Sequence, residues 1–115
     1  MEEKMRMGTH LLVNLYGCPV AVLNKSKVVL RLLNSVVKEA KLKKVGDKSY
    51  QFKPVGATAV ILLAESHISI HTWPENKSAA VDIFCCAGDK KPDLALKSLL
   101  KKFKPEKYSV KRVRR

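Results

Sequence analysis

The chain has 115 residues, of which 46% are hydrophobic and 29% charged, with a formal net charge of +13. That length builds one domain rather than two independent cores, and the balance excludes a chain that is disordered over most of its length. No apolar run approaches the roughly 20 residues of a membrane-spanning helix, and the charged start at residues 1–7 leads into no signal-peptide core, so a cytoplasmic protein without a membrane partner is expected.

Residues 10–16 carry the leucine, valine and tyrosine of a strand, closed by turn chemistry at Gly17, Cys18 and Pro19. From Val28 the apolar positions Val29, Leu32, Leu33, Val36, Val37 and Ala40 recur at threes and fours, which predicts a helix capped by Asn24 or Ser26. Lys38, Lys41, Lys43 and Lys44 collect at its end, where cations suit the negative pole, and Gly46 with Asp47 reads as the turn out. A strand follows through Tyr50 and Phe52 and is interrupted at Pro54 and Gly56. Residues 57–63 are almost continuously apolar, the pattern of a strand covered on both faces. Ile68 and Ile70 then alternate with His67, Ser69 and His71, which puts three polar side chains on one face of a strand.

Trp73 and Pro74 turn the chain. In the next strand, residues 79–86, Asp82, Phe84 and Cys86 share one side and Val81, Ile83 and Cys85 the other, with Gly88 and Asp89 at its end. Pro92 and Asp93 open a second helix with Leu96, Leu99, Leu100 and Phe103 on one face; Pro105 stops it, and residues 108–113 form a last strand. The order β-α-β-β-β-β-α-β predicts an α+β fold, a two-layer α/β sandwich with a mainly antiparallel sheet and both helices on one face.

The excess of lysine and arginine raises a nucleic-acid or anionic-surface partner. These residues are spread over both predicted helices and their flanks, with a last cluster at Lys111, Arg112, Arg114 and Arg115, and no aromatic stacking motif interleaves them. A solvated basic surface with no specific nucleic-acid partner is the reading taken. Three cysteines, Cys18, Cys85 and Cys86, cannot all pair, and adjacent cysteines offer no zinc-ligand spacing, so reduced thiols and no metal are expected.

Residues 64–75, AESHISIHTWPE, hold two serines, two histidines, carboxylates and a tryptophan beside an apolar strand. Spacing alone leaves open a strand end with a polar turn and surface histidines. A Ser/His hydrolase is the other possibility, although no G-x-S-x-G elbow is present.

This block resembles the processing site of prokaryotic S-adenosylmethionine decarboxylases, and the resemblance extends to residues 8–18, to Phe52 with Pro54 and Gly56, and to residues 79–89. It implies a proenzyme that cuts itself between Glu65 and Ser66 into residues 1–65 (the beta chain) and 66–115 (the alpha chain). In the resemblance the Ser66 hydroxyl attacks the Glu65 carbonyl to form an ester, Thr58 supplies a stabilising hydroxyl, and His71 removes the α-proton so that the ester eliminates. Position 66 becomes a covalent pyruvoyl cofactor, whose ketone forms a Schiff base with the substrate amine before carbon dioxide leaves. Cys86, chosen over Cys85 by counting from Ser66, matches the acid that reprotonates the substrate carbon. Phe52 matches an aromatic that stacks on adenine, Glu75 a carboxylate that binds ribose, and His67 and Trp73 are read as packing.

The family implies a homodimer with sites drawn from both subunits and a product that donates aminopropyl groups for spermidine synthesis. Three features depart from it: Asn14 where many relatives carry an acid, a loop after Cys86 longer by one residue, and a different run at residues 76–78. Some relatives on this scaffold decarboxylate arginine or ornithine, which makes a pyruvoyl-dependent arginine or ornithine decarboxylase the alternative. A basic nucleic-acid-binding domain or an inactive regulatory homologue is the third reading.

Overall fold

Alternation of apolar and polar residues makes strands, and here it makes six of them among the described residues, 6–86 and 90–115 of a computed structural model. The strands are β1 (Gly8–Tyr16), β2 (Lys44–Gln51), β3 (Ala57–Leu63), β4 (Ser66–Trp73), β5 (Ser78–Cys86) and β6 (Lys107–Arg114). Two helices interleave with them, α1 (Ser26–Glu39) and α2 (Lys91–Phe103). They form one sheet in the order β2-β3-β4-β5-β1-β6, with every neighbouring pair antiparallel. Both helices pack on one face, α1 against β2 and β3 and α2 against β5 and β1, as the order of elements predicts. The expected end of β5 at Gly88 and Asp89, and the loop after Cys86, lie outside the described residues. No helix among those residues is long and apolar enough to cross a membrane.

Strand parity sorts the side chains between two faces. Leu11, Val13 and Leu15 of β1, Ala57, Ala59 and Ile61 of β3, Ile68 and Ile70 of β4, and Val81 and Ile83 of β5 are buried under the helices. They meet Val29, Leu33, Val36 and Val37 of α1 and Ala95, Leu99 and Phe103 of α2, completing one core. Among the described residues, no helix lies on the opposite face of the sheet. His10, Leu12 and Asn14, Thr58, Val60 and Leu62, His67, Ser69 and His71, and Asp82, Phe84 and Cys86 all lie there, none of them fully buried.

Two local expectations change. Neither the Asn24 nor the Ser26 side chain caps α1; instead Gln51, at the end of β2, accepts a hydrogen bond from the Ser26 backbone N–H at 2.6 Å. Its amide nitrogen donates to the Asn24 carbonyl at 2.9 Å and to the Gly56 carbonyl at 3.0 Å, so one side chain ties the helix start to the loop that follows β2. The turn out of α1 comes before Gly46, because Lys41 takes a left-handed conformation (φ 57°) that reverses the chain at once. Gly46 therefore lies within β2, at the register shift between Lys44 and Gly46.

Phe103 is fully buried in the last turn of α2. Phe103→Ala is expected to lower stability by about 3–5 kcal/mol in urea unfolding, and a loss below about 1 kcal/mol would contradict its place in the core.

Candidate active site

The residues singled out in the sequence form two groups, one at each end of β4. At its start, the turn from β3 places Glu65 in the left-handed region with φ 63°, a conformation that strains any residue but glycine. The Glu65 carbonyl thus precedes Ser66 within a strained link. Ser66 Oγ lies 3.7 Å from Cys86 Sγ, and the Cys86 thiol donates to the Glu65 carbonyl at 3.7 Å. β1 closes this end: Gly8 pairs with Cys86, and a Cβ on Gly8 would come within 2.3 Å of the Cys85 carbonyl. Only glycine allows β1 so near.

The three thiols differ in surroundings. Cys18 is wholly buried, and burial pushes its thiol up to about 11. Cys85 faces the core, whereas Cys86 is half-buried on the face without helices. Geometry thus separates the adjacent pair in the way that strand alternation predicts.

At the far end, Thr58 and His71 stand opposite each other in the β3–β4 register, and Thr58 Oγ1 is hydrogen-bonded to His71 Nδ1 at 2.8 Å. Both line a cavity of about 400 Å³ that also has Phe52, Lys53, Trp73 and Glu75 in its wall. Phe52 and Trp73 are each 45% exposed, so two aromatic faces are open to a ligand. Tyr50 meets Phe52 edge-on with ring centroids 5.2 Å apart. Trp73, read from the sequence as packing, is a wall of this cavity with its ring 6.3 Å from that of His71. Its parity with His67, Ser69 and His71 was the available signal; Lys53 carries none.

Buried polar contacts hold the cavity's loop. The Thr72 hydroxyl accepts from the Ala57 N–H at 2.9 Å and donates to the Leu23 carbonyl at 2.9 Å. Gly56, at φ 104°, donates to the Asn24 carbonyl at 3.0 Å, while its own carbonyl accepts from the Phe52 N–H at 2.8 Å.

The two groups do not meet. An extended strand rises about 3.3 Å per residue, which sets Ser66 and His71 roughly 16 Å apart along β4. Between them the His67 ring stacks on Phe84 with centroids 5.8 Å apart, and His10 Nε2 lies 3.7 Å from an Asp82 oxygen. Asn14 falls in the same transverse row as His71, through Ala80, and its amide reaches Ser109 Oγ at 3.4 Å.

Residues 9–115 match the S-adenosylmethionine decarboxylase family. The chain belongs to that family. The S-adenosylmethionine decarboxylase proenzyme of Archaeoglobus fulgidus is 45% identical over 104 residues, covering 90% of this chain and 93% of that protein. The proenzyme of Methanococcus maripaludis is 37% identical over 110 residues, covering 96% and 90%. The crystal structure of the adenosylmethionine decarboxylase from Aquifex aeolicus matches with a TM-score of 0.92 and 37% identity, over 97% of this chain and 92% of that one. A Trypanosoma brucei AdoMetDC monomer shares the fold, with a TM-score of 0.67 at 18% identity, over 89% of this chain and 44% of that one.

In this chain Thr72 joins β4 to two other segments through one hydroxyl. Thr72→Val leaves the Ala57 N–H and Leu23 carbonyl without that partner and is expected to cost about 1–3 kcal/mol in urea unfolding, whereas Thr72→Ser keeps most of the stability. Equal stability of the Val and Ser variants would contradict the role of the hydroxyl.

Proposed function

We propose that this chain is a self-processing S-adenosylmethionine decarboxylase that works as a homodimer, with the Ser66 end of one protomer completed by the cavity of the other. The observation that carries the reading is the separation of roughly 16 Å along β4, which leaves each end of the strand with half of a reaction centre. The uncovered sheet face supports the pairing, since Leu62 is 53% exposed there and Leu12, Val60 and Phe84 are only partly covered. Stacking two such faces head to tail about a two-fold axis brings each Ser66 end toward a Thr58–His71 pair.

The residues at the start of β4 fit the formation of a pyruvoyl group. Ser66 Oγ attacks the Glu65 carbonyl carbon, the C–N bond breaks, and an ester replaces the peptide; the left-handed Glu65 favours departure from the ground state. Removal of the Ser66 α-proton by His71 of the partner subunit expels the Glu65 carboxylate, and hydrolysis of the unsaturated residue left behind releases ammonia. The products are residues 1–65 and residues 66–115. When formed, the group supplies a ketone for the substrate amine and an electron sink for loss of carbon dioxide.

The chain's own side chains account for binding and proton handling. Phe52 offers a face to adenine and Glu75 accepts from ribose hydroxyls, both in the wall of one cavity, with Trp73 beside them. Cys86, on the Ser66 side, holds the proton delivered to the carbon that has lost carbon dioxide. Two aromatic walls suit a nucleoside better than the side chain of arginine or ornithine, and the relatives named above all carry the adenosylmethionine name. The decarboxylated product serves as the aminopropyl donor in spermidine synthesis.

Mass spectrometry of purified protein is expected to find one piece ending at Glu65 and another beginning with a modified residue 66, with Ser66→Ala remaining whole. Carbon dioxide is expected from S-adenosylmethionine and not from arginine or ornithine. Phe52→Ala should weaken use of the adenosyl substrate about tenfold or more, since stacking on an aromatic contributes on the order of 1–3 kcal/mol. An uncut wild-type chain would end the self-processing reading; turnover of the amino acids alone would overturn the substrate.

A further inference from the structure

The fold gathers cations that look scattered in the sequence. On α1, Lys27, Arg31 and Lys38 recur at helical spacing on the side away from the buried Val29, Leu33 and Val36. On α2, Lys97 and Lys101 lie away from Ala95, Leu99 and Phe103. All five are exposed, and none makes a salt bridge with another of the described residues.

Among the described residues, the carboxylates on and beside the helices are already engaged. Glu39 and Asp93 are the acids of the two helices; Glu39 pairs with Lys102 at 2.7 Å and Asp93 with Arg112. The hydrogen bond from Lys102, then that from Ser98, holds the Glu39 carboxyl below its ordinary range, with Lys101 adding at longer range. Asp47 reaches Asn34 on α1 but is held by Lys44. Lys97 and Lys101 also border a cleft of about 150 Å³ between the helices. The outer helix face is therefore a net cationic surface.

We infer that this face binds the phosphate backbone of a nucleic-acid duplex without reading its sequence. The stripe from Lys27 to Lys38 runs about 16 Å at 1.5 Å per residue, and a duplex presents one charge per about 1.7 Å of its axis over that length. A single strand is held by base stacking, and the one aromatic in either helix, Phe103, is buried. A membrane is held by large apolar side chains pointing outward, and this face exposes only Leu94 among them. The face lies on the far side of the molecule from the uncovered sheet, so stacking of two sheets leaves it free. The inference is independent of the decarboxylase reading.

The test is fluorescence anisotropy of a labelled random-sequence DNA duplex with the purified protein over a range of salt. Five phosphate contacts give a slope of log K against log salt of about −4 to −5. The combined variant Lys27→Gln, Arg31→Gln, Lys97→Gln, Lys101→Gln should lose affinity by at least about tenfold and flatten that slope by roughly four, with its unfolding midpoint unchanged. The variant Lys43→Gln, Lys48→Gln, Lys107→Gln, Arg114→Gln removes equal charge elsewhere and should retain most of the affinity. Equal losses in the two variants would overturn the inference, as would tighter binding to a single strand, or binding to phosphatidylserine vesicles with none to the duplex.

Discussion

An extended strand hydrogen-bonded along both edges cannot bring its own ends together, and β4 is such a strand, held by β3 on one side and β5 on the other. Ser66 begins it and His71 lies near its end, so the strained Glu65 link and the Thr58–His71 pair are kept roughly 16 Å apart as firmly as the sheet itself is kept. Bending β4 to join them would break ladder bonds on both edges and expose the core beneath Ile68 and Ile70. The proposed function follows from that rigidity. In the proposed dimer, two chains stacked on their open faces would satisfy it.

The same period of two that spaces the site also divides the work between faces. One set of alternate side chains, with Ile61, Ile68, Ile70 and Ile83 among them, meets the helices and supplies the core. The other set carries Thr58, His71, Phe84 and Cys86 into a surface free of helices. A shift of register by a single residue in β4 or β5 would exchange the sets, burying histidine and exposing isoleucine, so the core fixes the orientation of the site residues. The helices then present their cations outward, because α1 and α2 turn their apolar sides to the sheet and leave mostly polar positions for solvent, with Leu94 the large apolar exception.

Much of this was legible in the chain. Alternation of His67, Ser69 and His71 with Ile68 and Ile70 placed the polar face correctly, and the parity of Asp82, Phe84 and Cys86 separated Cys86 from Cys85. The order of elements led to a two-layer sandwich with both helices on one face. The cap of α1 was not legible, because Gln51 comes from a strand far along the chain and only the folded sheet brings it to Ser26. The turn after α1 was misplaced because Gly46 is the residue that local rules favour, while Lys41 adopts the left-handed conformation instead. The sequence has Trp73 and Pro74 turning the chain and reads the tryptophan as packing, whereas β4 runs through Trp73 and its ring stands in the cavity wall. The family resemblance already implies sites drawn from two subunits, and the placing of Ser66 and His71 near opposite ends of β4 adds a physical reason for that expectation.

The proposed two-chain site is tested most directly by producing Ser66→Ala and His71→Ala chains together and isolating the mixed dimers. In such a dimer one composite site joins the intact Ser66 of the His71→Ala chain to the intact His71 of the Ser66→Ala chain, while the other site has neither. The account predicts that the His71→Ala chain, largely whole when made alone, is cut after Glu65 in the mixed dimer, and that the Ser66→Ala chain stays whole. A His71→Ala chain that remains uncut in mixed dimers, under conditions where the wild type cleaves, would contradict assembly of the site across two protomers.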